Sequence, residues 1–523
     1  MKKTALALLL AAALFSSCTS QAELNIEEKI KEGYIETMED VTKINGVSDT
    51  YAKKPENGNP ISSEFYCADP TAVEYNGRLY VYGTNDHQQY EAVGDDGSNT
   101  YGAIKSLHVF STDDMINWSH HGTIDVESVA PWIMNSWAPS IVSRVEEDGL
   151  THFYLYFSNN GCGVGVITST DPLGPWYDPL EKPLINYDTE GLDGCPNPFD
   201  PGVCIDDNGD GWIAFGGGKK RGGTDYMPGV ARIAKLGKDM ISFDSDFVEI
   251  KAPYFFEASE LNFINGTYVY TYNNSWEQRL EWEIEGASRP GACSMAYMTT
   301  KTPLDTDSWV YRDDYFCNPG ESGLGYSNNH SHLHKYMGKY YMFHHTMLRQ
   351  TGAGTTTGGF RSLCVVEIPV NEETLEITPV GSSSKGVSQI KYVDPYAENN
   401  GETFFTTTGV DFEYDGTAIT AVKSAEKGTV ICIKGVDFGE EGASAFTAKV
   451  KGKGRIEIRL DNPENGYVNA VESDSTDYQG YLDRAEEKIT GVHDVYIVFS
   501  DKDIVLDSCM IQGVAVKIIK DIV

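Results

Sequence analysis

The sequence predicts an all-β protein in which a five-bladed β-propeller is followed by a β-sandwich of jelly-roll type. Three observations lead to this prediction. Pairs of alternating strands joined by Asn-Gly or Met-Gly turns recur in the first part of the chain. The segments that open these pairs have their heads at positions 69, 138, 200, 257 and 330, which are 57 to 73 residues apart. After a Ser- and Gly-rich stretch at residues 381–386, a different set of alternating strands follows.

The first segment, residues 68–83, shows the repeated unit. Asp69 precedes Pro70, an alternating strand follows, Asn76-Gly77 makes a two-residue turn, and a second strand carries aromatic residues at alternate positions. Each interval between heads accommodates about four short strands, so radial repetition of four-stranded sheets is the natural architecture. A series of β-sandwich strands with coincidental turns is the alternative, but it would not place polar heads at matching positions.

The predicted domain boundaries are a signal peptide at residues 1–18, a tether at 19–60, the propeller at 61–380, a linker at 381–394 and the sandwich at 395–523. Lys2 and Lys3 precede an apolar run that is too short to span a bilayer, and small residues follow it. The sequence before Cys18 resembles a bacterial lipobox, which implies that Cys18 is lipidated. We therefore expect a lipid-anchored protein of the bacterial cell envelope, in the outer membrane or periplasm. A soluble exported protein from which Cys18 is removed is the alternative.

Charge and cysteine content narrow the possible partners. The formal net charge is -36, from 77 acidic and 41 basic residues, which disfavours nucleic acid and anionic membrane surfaces but not a neutral polysaccharide. We expect contact with a membrane only through the lipid anchor, and a monomer. The cysteines form no CxxC pair, so no zinc or thioredoxin-like motif is present. A Cys195–Cys204 disulfide is possible after export, but buried free thiols are expected for most cysteines.

Three of the five heads are acidic, namely Asp69, Asp200 and Glu257. Carboxylates that converge on a propeller axis raise one another's pKa, whereas hydrolysis of an acetal needs one carboxylate to activate water and one carboxylic acid to protonate the leaving oxygen. Glu257 is the better acid, because Phe255 and Phe256 can desolvate it and Asp200 can repel its charge. Asp200 would tune and orient, which leaves Asp69 as the base. The following prolines predict an extended backbone at both aspartates.

The same motifs resemble glycoside hydrolase family 43 over residues 61–379. This resemblance implies a five-bladed propeller and inverting hydrolysis, with Asp69 as general base, Asp200 as pKa modulator and Glu257 as general acid. The motifs that carry it are Ala68-Asp69-Pro70, Trp137-Ala138-Pro139, Phe199-Asp200-Pro201, Phe256-Glu257-Ala258-Ser259, Asn328-Asn329-His330 and Phe360-Arg361-Ser362.

Within the family the sequence is most similar to the arabinoxylan arabinofuranohydrolases, through Thr84-Asn85-Asp86, residues 113–118 and residues 135–139. This similarity implies release of α-L-arabinofuranosyl side chains from arabinoxylan. A β-1,4-xylosidase or an arabinan-degrading enzyme with the same triad is the first alternative, and a non-catalytic surface glycan-binding lipoprotein is the second. The similarity also assigns substrate-binding residues, with Trp137 as a pocket wall, Asn329 and Arg361 as ligands of the substrate, and Trp276 as a stacking platform.

No cofactor is expected for the chemistry, but the resemblance implies a structural calcium ion at the propeller axis near His330. A buried, hydrogen-bonded histidine is the alternative for this residue. The sequence departs from many relatives here, because Ser331 follows His330 where a second histidine is common. The loop at residues 206–211 matches the start of an EF-hand, but Gly217 replaces the glutamate that calcium requires, so a hairpin turn is predicted.

The C-terminal segment resembles carbohydrate-binding module family 6 through residues 436–439, 456–461 and 490–496. Its ligand residues depart from that family. Tyr478 stands where a stacking tryptophan is common, and Val505 stands where an asparagine usually contacts sugar. Sugar binding and a purely structural spacer role both remain open for this domain.

Overall fold

The structure is a computed structural model, and it describes residues 53–192, 194–277, 279–352 and 358–513. The predicted signal peptide, most of the tether and Cys18 lie outside the described residues. No helix within the described ranges is both long and apolar enough to cross a membrane.

Five groups of antiparallel strands follow one another along the chain, and we call them sheets I to V. Sheet I contains β1 (Ala68–Tyr75), β2 (Arg78–Thr84), β3 (Ser106–Thr112) and β4 (Trp118–Asp125); sheet II contains β5 (Trp137–Val145), β6 (Thr151–Ser158), β7 (Gly163–Ser169) and β8 (Ile185–Asn186); sheet III contains β9 (Gly202–Ile205), β10 (Gly211–Phe215), β11 (Arg232–Lys235) and β12 (Val248–Glu249). Sheet IV contains β13 (Phe255–Ile264), β14 (Thr267–Asn274), β15 (Met295–Thr300) and β16 (Val310–Phe316); sheet V contains β17 (Ser331–Tyr336), β18 (Lys339–Thr346) and β19 (Ser362–Glu367).

Short elements connect these sheets. The helices are α1 (Asp86–Val93), α2 (Val126–Val129) and α3 (Leu348–Gly352), with 3₁₀ turns at Asn160–Cys162, Thr306–Ser308 and Pro319–Ser322. A two-stranded ribbon of β20 (Val370–Asn371) and β21 (Glu376–Ile377) follows sheet V.

The sheets have a propeller-like arrangement. Their first strands contact one another in the order β1, β5, β9, β13 and β17, and β17 contacts β1. Apolar cores lie between successive sheets, with Val73 packed near Ile141 between sheets I and II, and Leu79 near Phe343 between sheets I and V. Four groups have four strands, whereas sheet V has three instead of the predicted four. Sheet I also continues by hydrogen bonds into the C-terminal domain.

Three heads, and the residue that follows the head Glu257, have an unusual backbone. Asp69, Ala138, Asp200 and Ala258 have φ values of 47°, 39°, 51° and 57°. The prediction of extended backbone at Asp69 and Asp200 is therefore wrong, because both residues adopt the left-handed conformation that side chains other than glycine rarely take. Register shifts occur at the heads of β1, β5 and β13, and such bulges re-aim side chains at the start of a strand.

Side chains at the ends of neighbouring strands hold the heads in this conformation. The backbone N–H of Ala138 donates to the Thr84 hydroxyl at 2.8 Å, and the N–H of Asp200 donates to the Ser158 hydroxyl at 2.8 Å. The N–H of Asp69 donates to Nδ1 of His345 at 3.2 Å, which closes the same pattern between sheets V and I. These three heads are thus tied to the preceding sheet.

The C-terminal domain is β-rich. Its strands are β22 (Asn399–Asn400), β23 (Thr403–Phe404), β24 (Thr406–Thr408), β25 (Val410–Asp415), β26 (Ala418–Ser424), β27 (Val430–Asp437), β28 (Ala443–Leu460), β29 (Asn469–Ile489), β30 (Val492–Phe499) and β31 (Val505–Gly513). They surround one apolar core that includes Phe446, Ile456 and Ile497. Strands β23 and β26 pair directly with β4, so a single 14-stranded sheet joins the two domains.

The described part of the predicted tether and the predicted linker are packed against the domains. Lys53 is buried and donates from Nζ to the carbonyl of Pro60 at 2.9 Å. Asn59 is also buried and donates from Nδ2 to the carbonyl of Ser383 at 2.7 Å, while Ser382 bonds to Nε2 of His344 at 2.6 Å. Residues 53–60 and the start of the linker therefore brace sheet V and do not extend as free chain.

Two local expectations are also resolved. Cys195 and Cys204 are buried free thiols, so this disulfide is not formed, and the other described cysteines are free as well. The loop at residues 206–211 is the turn between β9 and β10, as predicted. The Asp206 carboxylate accepts from the N–H of Asn208 and Asp210 and from Nε1 of Trp212, which commits it to the turn and to the core.

Candidate active site

The three acidic heads lie at one end of the ring and influence one another electrostatically. The charges of Glu257 and Asp69 both act on Asp200, and Asp69 also acts on Glu257. Asp69 and Asp200 are buried, at 4% and 5% exposure, whereas Glu257 is partly exposed. The repeat therefore brings together the carboxylates that the sequence analysis selected.

Asp69 is held by a cation. Burial works to raise the pKa of this carboxyl, but the Arg361 guanidinium and further contacts outweigh it and hold the pKa below its usual range. Nη1 of Arg361 donates to Oδ1 of Asp69 at 2.7 Å. Asp69 is consequently an ionised carboxylate at neutral pH, which is the state a general base needs.

Asp86 holds Arg361 in position. Nε of Arg361 donates to Oδ2 of Asp86 at 2.9 Å and Nη2 donates to Oδ1 at 2.8 Å, a bidentate pair that leaves Nη1 for Asp69. The backbone N–H of Arg361 also donates to Oδ2 of Asp86 at 3.0 Å. Asp86 lies in the first turn of α1 and is fully buried, so its orientation is set by the fold. The Tyr101 ring packs against the guanidinium, with 5.1 Å from its centroid to the central carbon.

Two histidines complete the surroundings of Asp69. Nε2 of His345 bonds to the carbonyl oxygen of Asn328 at 2.8 Å, and Nδ1 accepts from the N–H of Asp69, so the ring is neutral with its proton on Nε2. Burial lowers the pKa of His345 to about 3 and that of His330 to about 4. Nδ1 of His330 lies 3.7 Å from Oδ1 of Asp69. At neutral pH both rings are neutral, which leaves Arg361 as the cation beside Asp69.

Among the residues that the structure describes, no cation forms an ion pair with Asp200 or Glu257. Burial and then the charges of Glu257 and Asp69 raise the pKa of Asp200, while burial and then Asp69 raise the pKa of Glu257 to about 7. Oδ2 of Asp200 accepts from the N–H of Ala258 at 2.9 Å and Oδ1 accepts from the Ser158 hydroxyl at 3.1 Å. These two donors act to lower the pKa of Asp200, but burial and the neighbouring carboxyl groups outweigh them. The pair of Asp200 and Glu257 therefore retains a proton near neutral pH.

Trp137 lies beside this group. Its Nε1 donates to the carbonyl of Tyr101 at 3.1 Å, and its ring is 6.0 Å from the Tyr101 ring. Because Tyr101 packs on Arg361, Trp137 is connected to the Asp69 side of the site. The indole is partly exposed, as a pocket wall requires.

The adjacent residues Asn328 and Asn329 have different surroundings. Asn329 is fully buried and its Nδ2 donates to the carbonyl of Cys293 at 3.2 Å, whereas its Oδ1 has no hydrogen-bond partner among the described residues. Asn328 instead connects the two halves of the site. Its Nδ2 donates to Oε1 of Glu257 at 3.4 Å, and its Oδ1 accepts from Nη1 of Arg361 at 3.4 Å.

Trp276 is 48% exposed and follows the end of β14. The last residues of this strand, Asn273 and Asn274, pair with Glu257 and Phe255, which places Trp276 at the same end of sheet IV as Glu257. Its ring is 6.5 Å from that of Tyr326, which is also exposed. The two rings form an exposed aromatic pair near the carboxyl groups.

Comparison with known proteins agrees with this geometry. A model described as glycosyl hydrolases family 43 matches residues 57–371, and one described as carbohydrate binding module (family 6) matches residues 400–512. The chain belongs to glycosyl hydrolase family 43. It is therefore a glycosidase, and both family resemblances noted in the sequence are confirmed.

Two relatives and one solved structure illustrate the similarity. The chain is 33% identical to an arabinoxylan arabinofuranohydrolase of Paenibacillus polymyxa over 86% of this chain and 73% of that protein. It is also 33% identical to an arabinoxylan arabinofuranohydrolase of Bacillus subtilis (strain 168), over 87% of this chain and 91% of that protein. A crystal structure of a family 43 arabinoxylan arabinofuranohydrolase from Bacillus subtilis, in complex with cellotetraose, superposes with a TM-score of 0.81 and 30% identity, over 89% of this chain and 99% of that chain.

The residues near His330 do not fit a calcium site built from the protein. Calcium takes six to eight oxygen ligands. Nε2 of His330 is buried without a hydrogen-bond partner, but it is a nitrogen, and the nearby Asp69 carboxylate is already paired with Arg361. Among the described residues no group of three or more His, Cys, Asp or Glu side chains could hold a metal ion. No step of the chemistry is therefore assigned to a metal.

Several residues of the site were not identified as functional from the sequence, namely Asp86, Tyr101, Ser158, Asn328 and His345. Their contacts join residues far apart in the chain; Asp86 and Arg361, for example, are separated by 275 positions. One feature of the sequence could have indicated some of these residues, namely their position in the repeat. Thr84, Ser158 and His345 stand at or near the end of the second strand of their sheets, so the repeat that located the acidic heads also predicts that these ends meet the next head.

Proposed function

We propose that this glycosidase is an inverting exo-α-L-arabinofuranosidase that releases arabinofuranosyl side chains from arabinoxylan. The observation that carries the proposal is the opposite protonation of two carboxyl groups in one site, because Arg361 keeps Asp69 ionised while burial keeps Glu257 protonated up to about pH 7. The names of the two relatives at 33% identity support arabinoxylan as the substrate.

In the proposed mechanism, Asp69 takes a proton from a water molecule as that water attacks the anomeric carbon. Glu257 gives its proton to the glycosidic oxygen as the bond to the xylan chain breaks, and the sugar is released with inverted configuration. Glu257 raises the pKa of Asp200, and because repulsion between two carboxylates is mutual, an ionised Asp200 would help to keep the proton on Glu257. Asp200 would also orient the head of β13, since its Oδ2 accepts from the N–H of Ala258. These steps need only the carboxyl groups and water, and no cofactor.

The substrate-binding roles are proposed for residues around these carboxyls. Trp137 would form one wall of the sugar pocket, and Arg361 would contact the substrate while it clamps Asp69. Asn328 replaces Asn329 in this proposal, since its amide reaches Glu257 and Arg361. Trp276 would support the polysaccharide at the rim, because its ring is exposed at the same end of sheet IV.

The decisive experiment is NMR of the sugar released from arabinoxylan, followed during the first turnovers. We expect arabinose to appear first as the β-anomer, with loss of the α-arabinofuranosyl signals from the polymer. Release of xylose, or faster hydrolysis of an aryl β-xyloside than of an aryl α-arabinofuranoside, would instead support the β-xylosidase alternative. Initial release of the α-anomer would overturn the inverting mechanism, and binding without hydrolysis would overturn both.

We also propose that sheets I to V count as five blades and that the C-terminal domain is a jelly-roll sandwich, with the domain boundaries predicted above. The contacts that run from β1 through β17 and back to β1 support this count. An experimental structure in which sheet V lies outside the ring of first strands would contradict it.

For localisation, we propose a monomer that is attached to the bacterial envelope through lipid on Cys18. The support is the sequence of residues 1–18. Fractionation of cells with labelled fatty acid tests this directly. We expect label on the full-length protein in the membrane fraction and none on a Cys18→Ala variant. Unlabelled protein in the soluble fraction would contradict the anchor, and light scattering of the purified protein would test the monomer.

A further inference from the structure

A long segment at the end of sheet IV joins two strands that a short turn could connect. Residues 275–294 link β14 to β15, whereas residues 159–162 link the second and third strands of sheet II. The described residues of the longer segment contain no helix or strand. Irregular connections of this length are uncommon in compact domains and are usually functional. We call residues 275–294 the rim segment, because Trp276 lies on it at the same end of sheet IV as Glu257.

The Arg279 side chain holds the peptide groups on both sides of Trp276. Its Nη2 donates to the carbonyl of Ser275 at 2.5 Å, and its Nη1 donates to the carbonyl of Glu277. Nη2 also donates to Oδ1 of Asn274, the last residue of β14. Because Ser275 and Glu277 flank Trp276 in the chain, these contacts fix the backbone from which the indole projects.

The same guanidinium reaches the far end of the rim segment. Nε of Arg279 donates to the carbonyl of Pro290 at 3.2 Å, and Nη2 donates to the carbonyl of Gly291 at 2.8 Å. The donors of an arginine form a rigid planar fork, so one side chain can hold several carbonyl groups in a defined arrangement. Here the fork joins the beginning of the rim segment to its end, and Arg279 therefore closes the segment at its base.

Tyr254 connects the rim segment to the strand that carries the acid. The central carbon of the Arg279 guanidinium lies 4.3 Å from the centroid of the Tyr254 ring, and this tyrosine is buried. The Tyr254 hydroxyl donates to the carbonyl of Glu281 at 2.5 Å, and the Tyr254 carbonyl accepts from the N–H of Ser275 at 2.8 Å. Tyr254 immediately precedes β13, which carries Glu257. The rim segment is thus fixed relative to the acid.

The tip of the rim segment is open to solvent, in contrast to its base. Leu280 is 81% exposed and Trp276 is 48% exposed. The Trp276 ring has the exposed Tyr326 ring as a neighbour, with 6.5 Å between the centroids. A ligand that stacks on such a ring binds more tightly when the ring is already in place, because ordering a mobile segment on binding costs free energy. The contacts of Arg279 supply this order before a ligand arrives.

We propose that Arg279 is a positioning residue that holds Trp276 in place at the rim and thereby increases the affinity of the enzyme for polymeric arabinoxylan. Arg279 itself takes no part in bond cleavage. The binding of arabinoxylan by Trp276 rests on the proposed function, whereas the anchoring of the rim segment by Arg279 does not. A small substrate that fills only the sugar pocket does not extend to the rim, so its binding depends less on Arg279.

A double-mutant cycle tests whether Arg279 acts through Trp276. Arg279→Ala should raise the KM for arabinoxylan by about fivefold or more, and the KM for an aryl arabinofuranoside by less than about twofold. The variant that carries both Arg279→Ala and Trp276→Ala should have nearly the same KM for arabinoxylan as Trp276→Ala alone, because the anchor has no effect once the indole is absent. Effects that multiply in the double variant, or equal rises in KM on both substrates, would overturn the proposal.

Two further variants test the geometry of the anchor. Arg289→Ala is the matched control, since this exposed arginine of the same segment donates to the carbonyl of Arg279 at 2.8 Å, and the KM for arabinoxylan should change by less than about twofold. Arg279→Lys retains the positive charge but not the planar fork, so its KM should be close to that of Arg279→Ala. A KM for Arg279→Lys equal to that of the unmodified enzyme would overturn the proposal, because charge alone would then suffice.

Limited proteolysis measures the anchoring without any substrate. The rim segment exposes Glu281, Glu283 and Glu285, after which a glutamyl endopeptidase cuts. Cleavage there should be about fivefold faster or more in Arg279→Ala than in the unmodified protein, because local opening of the segment controls access. Arg289→Ala should be cut at the unmodified rate. The melting temperatures, measured alongside, show whether the opening is local. Equal cleavage rates in all three proteins would overturn the proposal.

Retention in a native gel that contains arabinoxylan separates this proposal from the proposed function, because it measures polymer binding when no sugar is released. If the unmodified protein released no arabinose, but Arg279→Ala was cut faster and retained less, the proposed function would fail and the role of Arg279 would stand. If the unmodified enzyme released arabinose, and Arg279→Ala changed neither the KM for arabinoxylan nor the cleavage rate, the role of Arg279 would fail alone.

Discussion

Asp69 and Glu257 occupy matching positions in sheets I and IV but have opposite surroundings. Asp69 is buried against Arg361, whose guanidinium Asp86 holds from the other side. Glu257 is partly exposed, receives one long hydrogen bond from Asn328, and has the carboxyl of Asp200 as a neighbour. One head is therefore kept charged and the other is kept neutral.

This difference shows how a repeat produces two catalytic roles from one geometry. Bulges at the starts of β1 and β13, with a left-handed backbone at Asp69 and at Ala258 beside Glu257, bring the carboxyl groups to one end of the ring. Residues outside the repeat, such as Arg361 and Asp86, then set the protonation states. The repeat determines where the carboxyl groups lie, and their neighbouring residues determine which of them is protonated.

The largest effect should come from removing the proton donor. Glu257→Gln should lower kcat/KM on arabinoxylan by about 10² to 10⁴, because the departing xylan oxygen needs a proton. The phenolate that leaves from an aryl arabinofuranoside with an acidic phenol needs little protonation. The fall in kcat/KM on this substrate should therefore be much smaller. The two substrates, assayed with one enzyme preparation, make the comparison independent of folding. Equal losses on both would show that Glu257 does not act as the acid.

Next in size is the effect of removing the cation beside Asp69. The unmodified enzyme should show a bell-shaped profile of kcat/KM against pH, with the acidic limb from Asp69 below its usual range and the alkaline limb near the Glu257 pKa of about 7. Arg361→Gln should raise the Asp69 pKa and move the acidic limb to higher pH. At a pH below the Asp69 pKa of the variant, kcat/KM should be about tenfold lower for each unit by which that pKa has risen.

Arg361→Lys is the matched control, since it retains the positive charge but not the bidentate contact with Asp86. The acidic limb of Arg361→Lys should therefore lie close to that of the unmodified enzyme. Arg361→Gln also leaves Asp69 and Asp86 buried without a counter-ion, which costs on the order of 3–5 kcal/mol of folding free energy, so thermal unfolding must be measured alongside. If the acidic limb lay at the same pH in both variants, the charge of Arg361 would not be what keeps the Asp69 pKa low.

A smaller change is expected at Asp200. Asp200→Asn removes the charge that repels Glu257, so the Glu257 pKa should fall and the alkaline limb should move to lower pH by roughly one unit. Ser158→Ala is the control, because it removes one hydrogen bond to Asp200 and leaves the carboxyl in place. The alkaline limb of Ser158→Ala should move less than that of Asp200→Asn. A shift to higher pH in Asp200→Asn would contradict the proposed role as pKa modulator.

The sequence identified the parts of this site that follow from repetition. The acidic heads at 69, 200 and 257 and the strand pairs after them are local patterns, and the structure brings these heads together. It missed the left-handed backbone at the heads, because X-Pro preferences are local whereas the bulges depend on pairing with the next strand. Asp86 and His345 were missed for a related reason, since their partners are distant in the chain and only the closed ring makes them neighbours.

The smallest effect separates the two adjacent asparagines. Asn328→Ala removes a 3.4 Å hydrogen bond that favours ionised Glu257, so the alkaline limb should move to higher pH by less than about one unit, because so long a bond is weak. Asn329→Ala removes a buried contact with the carbonyl of Cys293 and should lower the melting temperature without moving the limb. If Asn329→Ala moved the limb and Asn328→Ala did not, the side chain that connects the two carboxyl environments would be Asn329 and not Asn328.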